Sequence, residues 1–178
     1  MRTTSLTVAT PIALLVTIAA GCGGGQQAAA PLETRPLEEA KALEIILEML
    51  SDRSLAHETS VEVKLANETV VHCDLRVTGE KIAIEYMTDK DRAETGPIPP
   101  PAQGSRLHVV PGRVVPEEAG VQGEPVYIYV VDDRKYVYHY NPTSEHRADV
   151  TYLEVDSRLR RDTADFLSWY ESTKTPEA

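Results

Sequence analysis

Apolar residues recur along this chain with two different periods, and the changes of period mark out its elements. Over 36–53, Ala40, Leu43, Ile46, Leu47 and Leu50 fall at helical spacing, with Glu38, Glu39, Glu44 and Glu48 on the other side. Pro36 is tolerated in a first helical turn, so the pattern predicts a helix over 36–53. The period then drops to two. Val61, Val63 and Leu65 alternate with Glu62 and Lys64, and Val71, Cys73, Leu75 and Val77 with His72, Asp74 and Arg76. Ile82, Ile84 and Tyr86 alternate with Lys81, Ala83 and Glu85. Each run reads as a strand with one apolar face, and the short links predict an antiparallel meander. A two-residue turn at Gly79-Glu80 pairs Val77 with Ile82, Leu75 with Ile84 and Cys73 with Tyr86, all core to core. That register puts Cys73 inside, as a small hydrophobe beside an aromatic ring.

The second half is more broken. Residues 96–104 are proline-rich and read as a stiff extended loop. Leu107 to Val110 and Arg113 to Val115 read as short strands around Pro111-Gly112, and 117–124 as a loop. Val126 to Val131 and Lys135 to Tyr140 are β-rich runs joined by Asp132-Asp133-Arg134, a predicted hairpin. Val150 to Val155 reads as one more strand. Asp156 or Ser157 then caps a helix with Leu159, Thr163, Phe166, Leu167 and Tyr170 on one face. The sum predicts an α+β fold over 36–178, with an antiparallel sheet of six or seven strands packed by an N-terminal and a C-terminal helix.

The N-terminus has a different character. Arg2 is followed by an uncharged, mostly apolar run from Leu6 to Ala20, too short for a typical membrane span. Ala19-Ala20-Gly21 places small residues directly before Cys22. This layout resembles a bacterial lipoprotein signal with its lipobox. The resemblance implies removal of 1–21, acylation of Cys22 and anchoring in the lipid bilayer. Gly23, in place of aspartate, implies sorting to the outer membrane with the domain facing the periplasm. Residues 22–35 are small and polar and read as a flexible tether; the 13 residues from Cys22 to Thr34 would span about 20 Å. A multiply acylated cysteine needs no further membrane-binding surface.

The net charge is −10, and removing 1–21 takes away one base and no acid. Such a balance disfavours nucleic acid and anionic lipid as partners. Two arrangements offer chemistry. The meander register sets Asp74 opposite Glu85, with His72 two residues away, on the face expected to be solvated. Paired carboxylates beside a histidine suit a divalent metal, or a carboxyl with a raised pKa for acid–base work. A helix and three-stranded meander with Asp on the second strand and Glu on the third also resembles the start of restriction-endonuclease-like nucleases over 36–87. That family carries a lysine two residues after the glutamate, where this chain has Met87, so the resemblance implies a degenerate hydrolase. Opposite-charge neighbours Lys64, Arg76 and Lys81 give the pair a purely structural reading as well. The second arrangement is Tyr127, Tyr129, Tyr136, Tyr138 and Tyr140, a candidate binding face on the predicted hairpin, or simply cross-strand packing. No nucleophile motif, zinc spacing or phosphate loop appears. The sequence therefore predicts a non-enzymatic, lipid-anchored envelope protein, without a required cofactor, that binds another envelope protein or a cell-wall component.

Overall fold

A computed structural model of the chain describes residues 33–116, 121–140 and 148–174. The signal, the lipobox and the tether up to residue 32 lie outside them. The first described element is a strand, β1 (Glu33–Pro36), where the sequence predicts tether and the start of a helix. Leu37 donates its N–H to the Tyr136 carbonyl at 2.8 Å, which holds the chain extended until α1 (Glu39–Asp52) begins. The apolar stripe of α1 is wider than the face it buries. Ala42, Ile45, Ile46 and Leu50 are in the core, while Leu43 and Leu47 sit half-buried at its border.

The meander forms as β2 (His57–Leu65), β3 (Val70–Val77) and β4 (Ile82–Met87). Leu75 pairs with Ile84 as expected, the ladder stops short of the expected Cys73–Tyr86 pair, and β2 meets β3 with Val61 opposite Cys73. The strands do not stay in one antiparallel sheet. A short helix α2 (Asp89–Glu94) and the proline-rich loop lead to β5 (Val109–Val114), which pairs with β2. Then β6 (Pro125–Asp132) fits between β5 and β4, antiparallel to the first and parallel to the second. The order β2-β3-β4-β6-β5 closes into a five-stranded barrel in Greek-key order. Pro111-Gly112 does not split β5; the ladder to β2 starts at Gly112, so the proline stands at its end. Gly112 is required at that seam, because a Cβ there would lie 2.5 Å from Val63 Cγ1.

Closure explains why the predicted tyrosine hairpin is absent. Both edges of β6 are taken, by β4 and β5, so residues 135–140 find no partner there. Asp132 accepts the Arg134 N–H at 3.1 Å and starts a 3-10 turn, Asp133–Lys135, that carries the chain off the barrel. Strand β7 (Val137–Tyr140) pairs instead with β1 in a separate two-stranded sheet. The predicted strand at 150–155 is also replaced. Helix α3 spans Ala148–Thr173, because Tyr152, Val155, Leu159, Thr163, Phe166, Leu167 and Tyr170 continue one helical face. That period outweighs the β-propensity of Val150, Thr151 and Tyr152.

Two cores result. One fills the barrel with Val63, Leu65, Val71, Cys73, Ala83, Met87, Val110, Val126, Ile128 and Val130. The other lies between the barrel's outer side and α1 and α3, and holds Ile82, Ile84, Tyr86, Tyr129, Phe166 and Leu167. All six residues of β4 are buried, since one face looks into the barrel and the other at the helices. On β4 the face expected to be solvated is an interior face, while His72 on β3 is exposed as expected. Cys73 is buried as predicted, but in the barrel core, whereas Tyr86 belongs to the helix-side core.

Candidate functional site

Asp74 sits where β3 lets go of both neighbours. On one side, Ser60 of β2 adopts φ 60, in the left-handed region, and the β2–β3 ladder skips the Ser60–Asp74 pair. On the other, the β3–β4 ladder ends at Leu75–Ile84. A side chain replaces one missing rung: Asp74 Oδ2 accepts the Tyr86 N–H at 2.7 Å. The two carboxyl groups act on each other as like charges, which favours one of them keeping a proton.

Burial decides which. Glu85 is 2 % exposed, and its Oε2 is buried with no donor reaching it. Loss of hydration, then the charges of Asp74 and Asp91, push the Glu85 carboxyl up to about 9. Asp74, less buried, is raised to about 6, mainly by burial and against the Tyr86 N–H. At neutral pH the pair therefore holds one proton and one negative charge.

The pair floors a cleft of about 470 Å³. Its walls are Leu43 and Leu47 of α1, Thr59 and Ser60 of β2, and Lys90, Asp91 and Glu94 of α2. Leu43 and Leu47 also border a hollow running along α1 past Ala40, Ser51 and His57. The sequence reading brought Asp74 and Glu85 together but missed this frame. Helix α2 was signalled by Thr88 and Asp91, which form a reciprocal capping box. The surplus apolar width of α1 was also visible, though not which residues the core would leave over.

His72 lies at the cleft's edge, with its exposed ring directed at Glu62, Nδ1 to Oε1 3.4 Å. Among the described residues, no group of three or more His, Cys, Asp or Glu is placed to hold a metal ion. The tyrosines do not form one face. Tyr129 is buried and stacks on Phe166 at 4.5 Å, and Tyr127 meets Trp169 edge-on at 5.5 Å. Tyr136 is buried and donates to Asp162 Oδ2 at 3.0 Å, while Tyr138 meets Tyr152 edge-on. Tyr140 lies under the Arg35 guanidinium, 4.0 Å from the ring centroid. The Arg35–Tyr140 contact lies within the β1–β7 sheet, and the others join strands or their flanks to α3.

The proline-rich loop closes one end of the barrel. Ile98 packs on the barrel core, and the Pro97 and Pro99 carbonyls bond to Asn67 Nδ2 at 2.9 Å and to His108 Nε2 at 2.7 Å. Arg92 crosses beneath it to Asp132, at 3.0 Å, and to buried Asp133.

Leu75, Ile82, Ile84 and Tyr86 on the outer side of β3 and β4 share a core with α1 and α3, so the chain's own helices cover that face. No helix among the described residues is long and apolar enough to cross a membrane. No family model, curated protein or solved structure matches the chain.

Proposed function

We propose that this chain is a lipid-anchored envelope protein whose globular domain is a non-enzymatic binding module for another envelope protein, with the Asp74–Glu85 cleft as its ligand site. The anchor reading rests on the 1–22 pattern ending in Cys22, and the acidic charge favours a protein partner over nucleic acid. The observation that carries the site is the open cleft itself, walled by Leu43 and Leu47 and lined by the Asp74 and Glu85 carboxyls, with Glu85 Oε2 sealed beneath it without a donor. A buried polar atom of this kind costs free energy unless something supplies its bond. A backbone N–H holds the Asp74 carboxyl where a ladder bond would be, which suits a fixed acceptor rather than a group that must move during a reaction.

The test is photocrosslinking in intact cells, with benzoylphenylalanine introduced at Leu47 on the cleft wall or at Arg113 outside it. The reading expects one adduct from Leu47, none from Arg113, and loss of the Leu47 adduct in Asp74→Asn. Equal adducts at both positions, or a Leu47 adduct indifferent to Asp74→Asn, would refute the site. For the anchor, wild type should incorporate labelled fatty acid and partition with membranes, and Cys22→Ser should do neither.

A further inference from the structure

We propose that the hollow along α1 seats a basic amphipathic helix of the partner protein, its apolar ridge packed on Leu43 and Leu47 and its lysines or arginines set against the acids beside them. The inference rests on the binding reading above and gives the partner's contacting element a shape and a charge.

Shape is the first argument. Residues four apart form ridges on a helix surface, and a neighbouring helix lays a ridge of its own into the groove between two of them. The core takes one side of α1, with Ala42, Ile46 and Leu50 in one row and Ile45 beside it. Two adjacent rows are left over. Leu43, Leu47 and Ser51 form the first, and the two leucines on it are only half-buried. Ala40, Glu44, Glu48 and Asp52 form the second, and both rows line the same hollow. From Ala40 to Asp52 it runs about 18 Å, the length of roughly three helical turns. A helix surface offers no unpaired N–H or C=O, so an extended peptide would gain no main-chain bonds here. A helix arrives with its own bonds made.

Charge is the second. Glu44, Glu48 and Asp52 stand four apart and repel one another. Lys41 offsets Glu44 at 2.7 Å and Arg160 offsets Glu48 at 2.6 Å, but no ion pair among the described residues reaches Asp52. Asp52 also ends α1, at the negative pole of the helix, and the last turn holds no base. The cleft that shares Leu43 and Leu47 adds Asp91 and Glu94 on its α2 wall, against Lys90. Acids thus flank the leucines on both sides. A second copy of this chain would set acids against acids, and anionic lipid would be repelled. A helix that carries lysine or arginine beside an apolar ridge complements both rows.

Fluorescence anisotropy on the full chain in mild non-ionic detergent, with protein-free micelles as baseline, reads the interaction. The probe is fluorescein-labelled Lys-Leu-Ala-Lys-Lys-Leu-Ala-Lys-Lys-Leu-Ala-Lys-amide, about three turns long with its leucines in one row. One companion carries glutamate for lysine, and another has the same residues shuffled so that the leucines no longer align. The lysine helix should bind saturably, and both companions at least about tenfold more weakly. Leu47→Gln should weaken the lysine helix about tenfold and Asp52→Lys about threefold, and added salt should weaken it in wild type. Both substitutions put helix formers at partly or fully exposed positions, and circular dichroism checks that each variant is folded. Equal binding of either companion overturns the proposal, as does an affinity that Leu47→Gln leaves unchanged, or a dimer of this chain that Leu47→Gln dissolves. If the lysine helix fails while the Leu47 crosslink stands, the occupant is not a basic helix and the binding site survives. If both fail, the binding reading falls with it.

Discussion

Replacing Glu85 by glutamine removes a titration that the fold makes conspicuous. Glu85 is 2 % exposed and its carboxyl is raised from an ordinary 4.5 to about 9, chiefly by burial. Between those values the folded chain keeps a proton that the unfolded chain has lost. Stability is therefore full below about 4.5 and declines as pH rises, until both states are ionised above about 9. The slope in that window is about 1.4 kcal/mol per pH unit. Asp74, raised to about 6, adds loss of the same sign only below that value. Comparing pH 7 with pH 8 isolates Glu85, and over that unit the wild type should lose about 1.4 kcal/mol more than Glu85→Gln. Glutamine preserves the volume and removes the titrating proton. Urea unfolding of both chains at pH 6, 7 and 8, followed by the fluorescence of Trp169, measures the difference. Parallel pH dependences in the two chains would mean that Glu85 is ionised in the fold, and the account of the pair would collapse.

Two further substitutions probe the frame around the site. Asp133 is 6 % exposed and its carboxylate is bonded to Arg92, so Arg92→Met strands a buried charge and should cost about 3–5 kcal/mol in urea unfolding. Asp133→Asn added to that variant should restore a large part, and a cost under about 1 kcal/mol for Arg92→Met alone would contradict the pairing. The Cys73 thiol is 1 % exposed and pushed up by burial, so in a Cys22→Ser chain at pH 8 it should resist a disulfide reagent until urea unfolds the protein. Reaction in the folded chain at the rate of a free thiol would place Cys73 at the surface.

Alternation of apolar and polar residues over 61–86 was enough to read three strands, the Leu75–Ile84 register and the juxtaposition of Asp74 with Glu85, because pairing across a tight turn is local. Helical spacing likewise exposed α1 and most of α3. The same alternation assigned Glu85 to water, and there local reasoning failed. Nothing between residues 81 and 87 says that β6, some 40 positions later, will lie parallel to β4 and turn the polar face into a barrel interior. The tyrosine hairpin failed for the same reason: whether β6 has a free edge depends on β5 and β4, and not on the turn that follows it.

What the sequence by itself determined are features whose causes lie within one or two turns of chain: helix faces, strand phase, hairpin register and the pattern around Cys22. The tertiary structure alone decided which faces are dry, because burial is set by segments that meet across the fold. It made an exposed pair of like charges into a buried carboxyl with a retained proton, and walled that pair with the part of the α1 apolar stripe that the core leaves uncovered.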